Sequence, residues 1–333
     1  MEILAQSPEM LAERLNTYET LLQNKPTIVV THTSALLRHI PNKETYLNFC
    51  LNLKIGQRFD MKDLQKRLVE MGYQYIINVD QPFYFSHRGG IIDVFSINYE
   101  NPIRIEFFDD EIDSIRFFDQ ATQRTIQTVN EVRIIPATEI LYEQNDMKDA
   151  IDIINQCYDQ CAKRLEDDKK DDLRHYLNID IENLRNHDTT LSMSKYYSCF
   201  KNDTSIVNFV DDVNIILSPY TSLKDNERML FEEMVTYQHE MFEEGRMVLH
   251  LDVLYELEEV LSSKTNIIEI ENFKTNPKQI VFNARSIDGV SASTKEDILK
   301  YLRSFSHNSK ILIVLDSEHL LHKISELCLS HQI

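Results

Sequence analysis

The sequence predicts an α/β protein in which a parallel-sheet lobe is interrupted by a small α+β domain and followed by a partial α/β domain. Three observations carry this. Between Ile91 and Phe118, three short runs alternate apolar and polar residues, the period-two pattern that puts successive side chains on opposite faces of a sheet. On either side of that region lie short, mostly apolar runs, Thr27–Thr31 (TIVVT) and Val213–Leu217 (VNIIL), of the kind found in buried parallel strands. Helical stripes adjoin both of them.

The alternating runs are Ile91–Ile97, Ile103–Phe108 and Ile112–Phe118, with turn chemistry at Asn98–Pro102 and Asp109–Glu111, so they read as an antiparallel meander. In the middle run Ile103, Ile105 and Phe107 share the face that needs a core. Arg104, Glu106 and Phe108 share the other, which sets an arginine and an aromatic side by side where water is expected. Those residue types are enriched at binding hot spots. The plain alternative is that Phe108 closes a small core and Arg104 pairs with Glu106 or Asp93. Gly89–Gly90, directly after Arg88, predicts a bulge or a close backbone approach that swings Arg88 toward the Arg104 face.

The string RGGIIDVF, followed by NPIRIEFFDDEIDSIRFFD and TQRTI, resembles the UvrB-interaction domain, which is shared by the excinuclease subunit UvrB and the transcription-repair coupling factors. The likeness holds over some forty residues in one register, which makes it specific. It extends more loosely back through YLNFCLNLKIGQRFDMKDLQKRLVEMGYQY and forward through EVRIIPATEIL; SPEMLAERL and IVVTHTSALLRHIP are similar to the amino-terminal lobe of the coupling factors. What the resemblance implies is a non-catalytic module that binds UvrA. The family's UvrA-contacting positions carry over to Arg88, Arg104 and Phe108, with both guanidinium groups available for planar, bidentate contacts and Phe108 for an apolar pocket. It further implies a full-length ATP-driven DNA translocase. ATP, magnesium, RNA polymerase and double-stranded DNA would be bound by domains downstream of this segment, which itself takes no cofactor. Two other readings are a piece of UvrB itself and a stand-alone UvrA-binding adaptor.

In chain order, residues 1–43 form the first part of the lobe. Ser7 caps a helix with Pro8 at its first position and a stripe of Leu11, Leu15, Tyr18 and Leu22; the TIVVT strand and a helix opening at Thr33 or Ser34 follow. One parallel strand makes no sheet, and the resemblance implies an amino-terminally truncated lobe. Residues 44–130 form the α+β domain. Leu47, Phe49, Leu51 and Leu53 alternate as a strand, Asp60 caps a helix carrying Leu64, Leu68 and Met71, Gly72 suits its left-handed end, and Tyr73–Val79 and Phe83–Phe85 add strands.

Residues 131–250 return to the lobe: a strand at Val132–Pro136, helix through most of Asp146–Asn186 (DDKKDD at 167–172 being a solvated stretch), the VNIIL strand, and a helix Leu223–Glu244 stopped by Gly245. Where a nucleotide hydrolase would often place an acidic pair after such a strand, Ser218-Pro219-Tyr220 stands instead, so the lobe reads as degenerate and P-loop-like. Residues 251–333 read as a partial α/β unit, with strands at Asn266–Ile270, Gln279–Phe282 and Lys310–Leu315, helices at Thr294–Phe305 and Ser317–Leu327, and caps at Ser293 and Ser317.

Composition narrows the chemistry. The 333 residues are 42% hydrophobic and 27% charged, with a net charge of −19, which disfavours non-specific binding to phosphate backbones and suits partners with basic surfaces. No run approaches a membrane span and MEILAQSPEM lacks the blocks of a signal peptide, so the cytoplasm is the expected compartment, with no membrane partner. The six glycines stand at 56, 72, 89, 90, 245 and 289; none is five from another, so neither GxxxxGK[ST] nor GxGxxG can be written anywhere in the chain. Five cysteines give no disulfide framework, and Cys157 and Cys161 continue an apolar helical stripe. His319 and His322 have no third ligand nearby in sequence. The residues give no catalytic constellation and no metal site.

Overall fold

The computed structural model describes residues 7–23, 25–188, 191–200, 203–249, 251–274, 279–281, 299–300, 303 and 317–331. Contacts divide the chain into two compact units, Met1–Phe273 and Lys274–Ile333.

In the first unit, helix α1 (Pro8–Leu22) begins as its sequence dictates, with the Ser7 hydroxyl accepting from the Met10 amide at 3.2 Å and proline at the first helical position. It buries Leu15 and Tyr18, and the Tyr18 ring packs against Tyr46 and Phe209. The same tyrosine reaches Glu139, a buried carboxylate that also accepts from Arg14 Nε and Nη2, both at 2.8 Å, and lies 3.6 Å from Arg38. Burial alone would raise the Glu139 carboxyl, but the arginines and the tyrosine outweigh it and hold the group below its ordinary range. One acidic side chain thus ties α1 to a segment more than a hundred residues away.

Thr27–Thr31 is not a strand. Ile28 and Val30 are 92% and 91% exposed, and among the described residues no strand pairs with this run. The chain passes through α2 (Thr33–Leu36) to β1 (Ile40–Pro41), which pairs antiparallel with β10 (Asp203–Thr204). The expected strand from Leu47 is also corrected. Asn42 accepts from the Thr45 amide at 2.8 Å and starts helix α3 (Lys43–Asn48), which with the residue just beyond it buries Tyr46 and Phe49 at helical spacing. Only Leu51–Lys54 is extended (β2), and it pairs antiparallel with β9 (Glu131–Ile134). The two ends of the intervening segment are therefore hydrogen-bonded together.

Within that segment α4 (Met61–Glu70) is capped by Asp60, buries Leu64 and Leu68, and ends at Gly72, whose φ is +87°. Six strands follow: β3 (Gln74–Tyr75), β4 (Tyr84–Arg88), β5 (Ile91–Val94), β6 (Ile103–Phe108), β7 (Glu111–Phe118) and β8 (Thr125–Val129). They form one sheet in sequence order, antiparallel throughout except for β3 beside β4. The expected strand over Tyr73–Val79 shrinks to two residues. The inner face carries Phe85, Ile92, Val94, Ile103, Ile105 and Ile115, all buried, in one core with Leu64 and Leu68. The predicted meander is present, lengthened by a strand at each end.

A second core gathers helices α5 (Gln144–Ala162), α6 (Asp167–Arg185) and α7 (Tyr220–Glu243). Cys161 is buried in it and Cys157 half-buried, both as free thiols. The DDKKDD run opens α6, and α7 stops at Gly245 with φ +69°. After α7, α8 (Leu257–Leu261) leads to β12 (Ile267–Glu269), which pairs parallel with β11 (Ile215–Leu217). Among the described residues these two short strands are the whole of the parallel sheet they form.

In the second unit the helix Glu318–Ser330 is capped by Ser317, as expected. Residues 279–281 form no strand, and residues 299, 300 and 303 are helical. Phe282, Ser293, Lys310–Leu315 and most of Thr294–Phe305 lie outside the described residues.

Two measurements check this packing. A Cβ at Gly72 would stand 2.6 Å from Thr138 Cγ2, on a backbone that disfavours L side chains, so Gly72→Ala is expected to lower the unfolding free energy by about 2 kcal/mol in urea. The depressed Glu139 carboxyl contributes stability that is complete above the ordinary value of about 4.3 and is lost as pH falls through its lower folded value. Glu139→Gln is accordingly expected to flatten the acid limb of the stability profile.

Candidate functional site

The strand register arranges the outer face of the sheet in rows. Ser86, Asp93, Arg104 and Arg116 face one another across β4, β5, β6 and β7, and Arg88, Ile91, Glu106 and Ser114 form the next row. Pairing partners share a face, so three arginines and two carboxylates stand together on one side of the sheet.

Arg88 closes this face at the tip of β4. Of the bulge and the close backbone approach that the sequence allowed at Gly89–Gly90, the structure shows the second: the pair is the two-residue turn of a hairpin in which Arg88 pairs with Ile91, and Gly89 has φ +57°. A Cβ on Gly90 would lie 3.0 Å from the Phe107 carbonyl oxygen, and the Phe107 amide donates to the Gly90 carbonyl at 2.8 Å. The turn therefore fits closely against the end of β6. Arg88 does reach the Arg104 face, with Nη2 3.7 Å from Asp93 Oδ2, while its side chain stays 57% exposed.

Phe108 is where the sheet stops being regular. The β6–β7 register shifts between Glu106 and Phe107, and Asp109 at φ +60° turns the chain into β7. Past that shift Phe107 is half-buried against the core and Phe108 stands 79% exposed. The register from Ile91 opposite Glu106 brings the main chain of Phe107 and Phe108 alongside the glycine turn, which has no side chains of its own.

Arg104 differs from the expectation. It is only 7% exposed, not a free surface arginine. Nε donates to Asp93 Oδ1 at 2.7 Å and Nη2 to Asp93 Oδ2 at 2.8 Å, a bidentate pair, and Nη2 also donates to Gln123 Oε1 at 2.8 Å. Its guanidinium lies 4.3 Å from the centroid of the buried Phe118 ring. Gln123 is delivered by a tight loop in which the Asp119 carbonyl accepts from the Gln123 amide at 2.8 Å and the Asp119 carboxylate accepts from Thr122. The hydrogen bonds to Asp93 push the Arg104 guanidinium above its ordinary value, against the cost of burial. Of the two partners weighed from the sequence, Asp93 holds the arginine. Glu106 instead accepts from Ser114 at 2.7 Å and from Arg116 Nη1 at 3.0 Å, and these bonds keep its carboxyl low.

The structure thus brings Arg88, Arg104 and Phe108 to one face of the sheet, with Arg88 and Phe108 at the end that carries the glycine turn and Arg104 nearer the centre. Sequence reading missed Gln123 and Arg116. Arg116 follows the period-two pattern of Arg104 one strand on, whereas nothing local marks Gln123, which arrives through a loop. Among the described residues no group of three or more His, Cys, Asp or Glu side chains is placed to hold a metal ion.

Residues 51–140, which hold the six-stranded sheet, α4 and the β2–β9 pair, match the family model of the UvrB interaction domain, so the chain carries a domain of that class. Over most of its length it is also related to the transcription-repair-coupling factors. It is 30% identical to that of Bacillus subtilis over 266 residues, which are 79% of this chain and 23% of the relative. It is 28% identical to a Staphylococcus aureus counterpart and 26% to that of Staphylococcus haemolyticus, each over 246 residues, 73% of this chain and 21% of theirs. The chain spans less than a quarter of the length of these curated relatives.

The burial of Arg104 reverses what an exposed arginine would give. Arg104→Ala leaves the Asp93 carboxylate without its bidentate partner in a nearly closed site, and is expected to destabilise the domain by about 3 kcal/mol, read as a lower denaturation midpoint.

Proposed function

We propose that the outer face of this sheet is a docking surface for UvrA, and that the chain works as the UvrA-recruiting part of a transcription-repair-coupling factor (Mfd) in nucleotide excision repair. The observation that carries this reading is that Arg88 and Phe108 are both exposed at the glycine-turn end of one sheet face, in a domain that matches the UvrB interaction domain. An aromatic left in water on the same face as an arginine, in a rigid paired sheet, has the composition and the pre-organisation of a hot spot. The segment itself acts as a non-catalytic adaptor. ATP hydrolysis, DNA translocation and contact with RNA polymerase belong, in this reading, to parts of the protein beyond residue 333, and the parallel β11–β12 pair with α7 is a remnant of a P-loop-like lobe.

Calorimetric titration of the 333-residue chain into purified UvrA tests the proposal. Arg88→Ala and Phe108→Ala are each expected to weaken binding about tenfold or more, with an unchanged unfolding midpoint, because neither side chain is buried. No heat from the parent chain, or parent-like affinity in both variants, would sink it.

A further inference from the structure

The three arginines on this face are not equivalent. Arg104 commits Nε and Nη2 to Asp93 and Gln123 and lays its plane against Phe118, which leaves little of it to offer a partner. Arg116 is taken up by Glu106. Among the described residues the Arg88 guanidinium makes neither a hydrogen bond nor a ring contact, only a long ion pair to Asp93. Its nearest carboxylate oxygen is 3.7 Å away, close enough to attract it and too far for a hydrogen bond, and that oxygen is the one already accepting from Arg104.

We propose, resting on the UvrA-docking reading, that Arg104 is a positioning residue rather than a contact residue: by saturating Asp93 it keeps Arg88 free, and Arg88 with Phe108 receives a partner element carrying a carboxylate beside an apolar side chain. The physical argument is competition for one acid. The Asp93 side chain is 6% exposed, and its ion-pairing partners among the described residues are Arg104 and Arg88. A nearly closed carboxylate deprived of one guanidinium draws strongly on the next cation within reach. Arg88 sits two residues from the strand position opposite Asp93 and on the same face, so a small rotamer change closes the gap. Removing Arg104 therefore disarms the surface indirectly, by pulling Arg88 down onto Asp93.

This makes a rescue the decisive experiment. Arg104→Gln alone leaves Asp93 charged and is expected to weaken UvrA binding about tenfold. It is also expected to slow phenylglyoxal modification of Arg88 several-fold, read by mass spectrometry of the peptide that contains it. Adding Asp93→Asn replaces the ion pair with a neutral pair of similar shape and removes the competitor. The double variant, folded by circular dichroism, is expected to recover both Arg88 labelling and UvrA affinity to within about threefold of the parent chain. A folded double variant that labels normally at Arg88 yet fails to bind would show that Arg104 itself touches UvrA. Unchanged Arg88 labelling in Arg104→Gln would show that Asp93 captures nothing. If Arg104→Gln does not fold, the double variant alone carries the comparison. If the parent chain does not bind UvrA, it is the docking reading that fails, and the labelling series still decides how Arg88 is held.

Discussion

The bidentate pair between Arg104 and Asp93 is the constraint on which the rest of this face depends. It joins adjacent strands of the meander at its centre and reaches across to the β7–β8 loop through Gln123. It also roofs Phe118, so a charged group does part of the work of a second small core. A carboxylate this buried is tolerated only with its hydrogen bonds made, and the sheet register makes them by setting Asp93 directly opposite Arg104. With the central pair satisfied, the flanking groups can be spent on display.

Rigidity at the display end comes from backbone rather than side chains. Gly89 and Gly90 turn the β4–β5 hairpin within two residues and lie against the end of β6, while the shifted β6–β7 register turns Phe108 out. The backbone of Arg88 and Phe108 is thus fixed by main-chain hydrogen bonds, while the direction of the Arg88 side chain is left to its neighbours on the face. The inner face supplies the stability: β2 pairs with β9, α4 lies on the sheet, and the Glu139 cluster fastens α1 to the segment that leaves the domain. A surface held in this way loses little conformational entropy on binding.

Much of this was legible in the sequence, and the exceptions are physical. The meander could be read because one of its faces is buried, which enforces strict alternation in Ile103–Phe108 and Ile112–Phe118. The caps at Ser7, Asp60 and Ser317 and the helix stops at Gly72 and Gly245 are local chemistry, and local chemistry is visible in a string of residues. Thr27–Thr31 misled because strand propensity says nothing about whether a neighbour exists. Leu47–Leu53 misled because the Asn42 cap set a helix before the alternation could act. For the site, the sequence placed Arg88, Arg104 and Phe108 on one face but could not rank their exposure. Asp93, an acid between Ile92 and Val94 in a strand, was the available sign that Arg104 would be paired rather than free.

The most direct test is hydrogen–deuterium exchange of the 333-residue chain with and without UvrA. The account predicts added protection concentrated in the Arg88–Ile91 turn and in the backbone from Phe107 to Asp110, with little change in the slowly exchanging centre of β5 and β6. Protection confined to another edge of the sheet, such as Thr125–Val129, or to helices of the second core would contradict it.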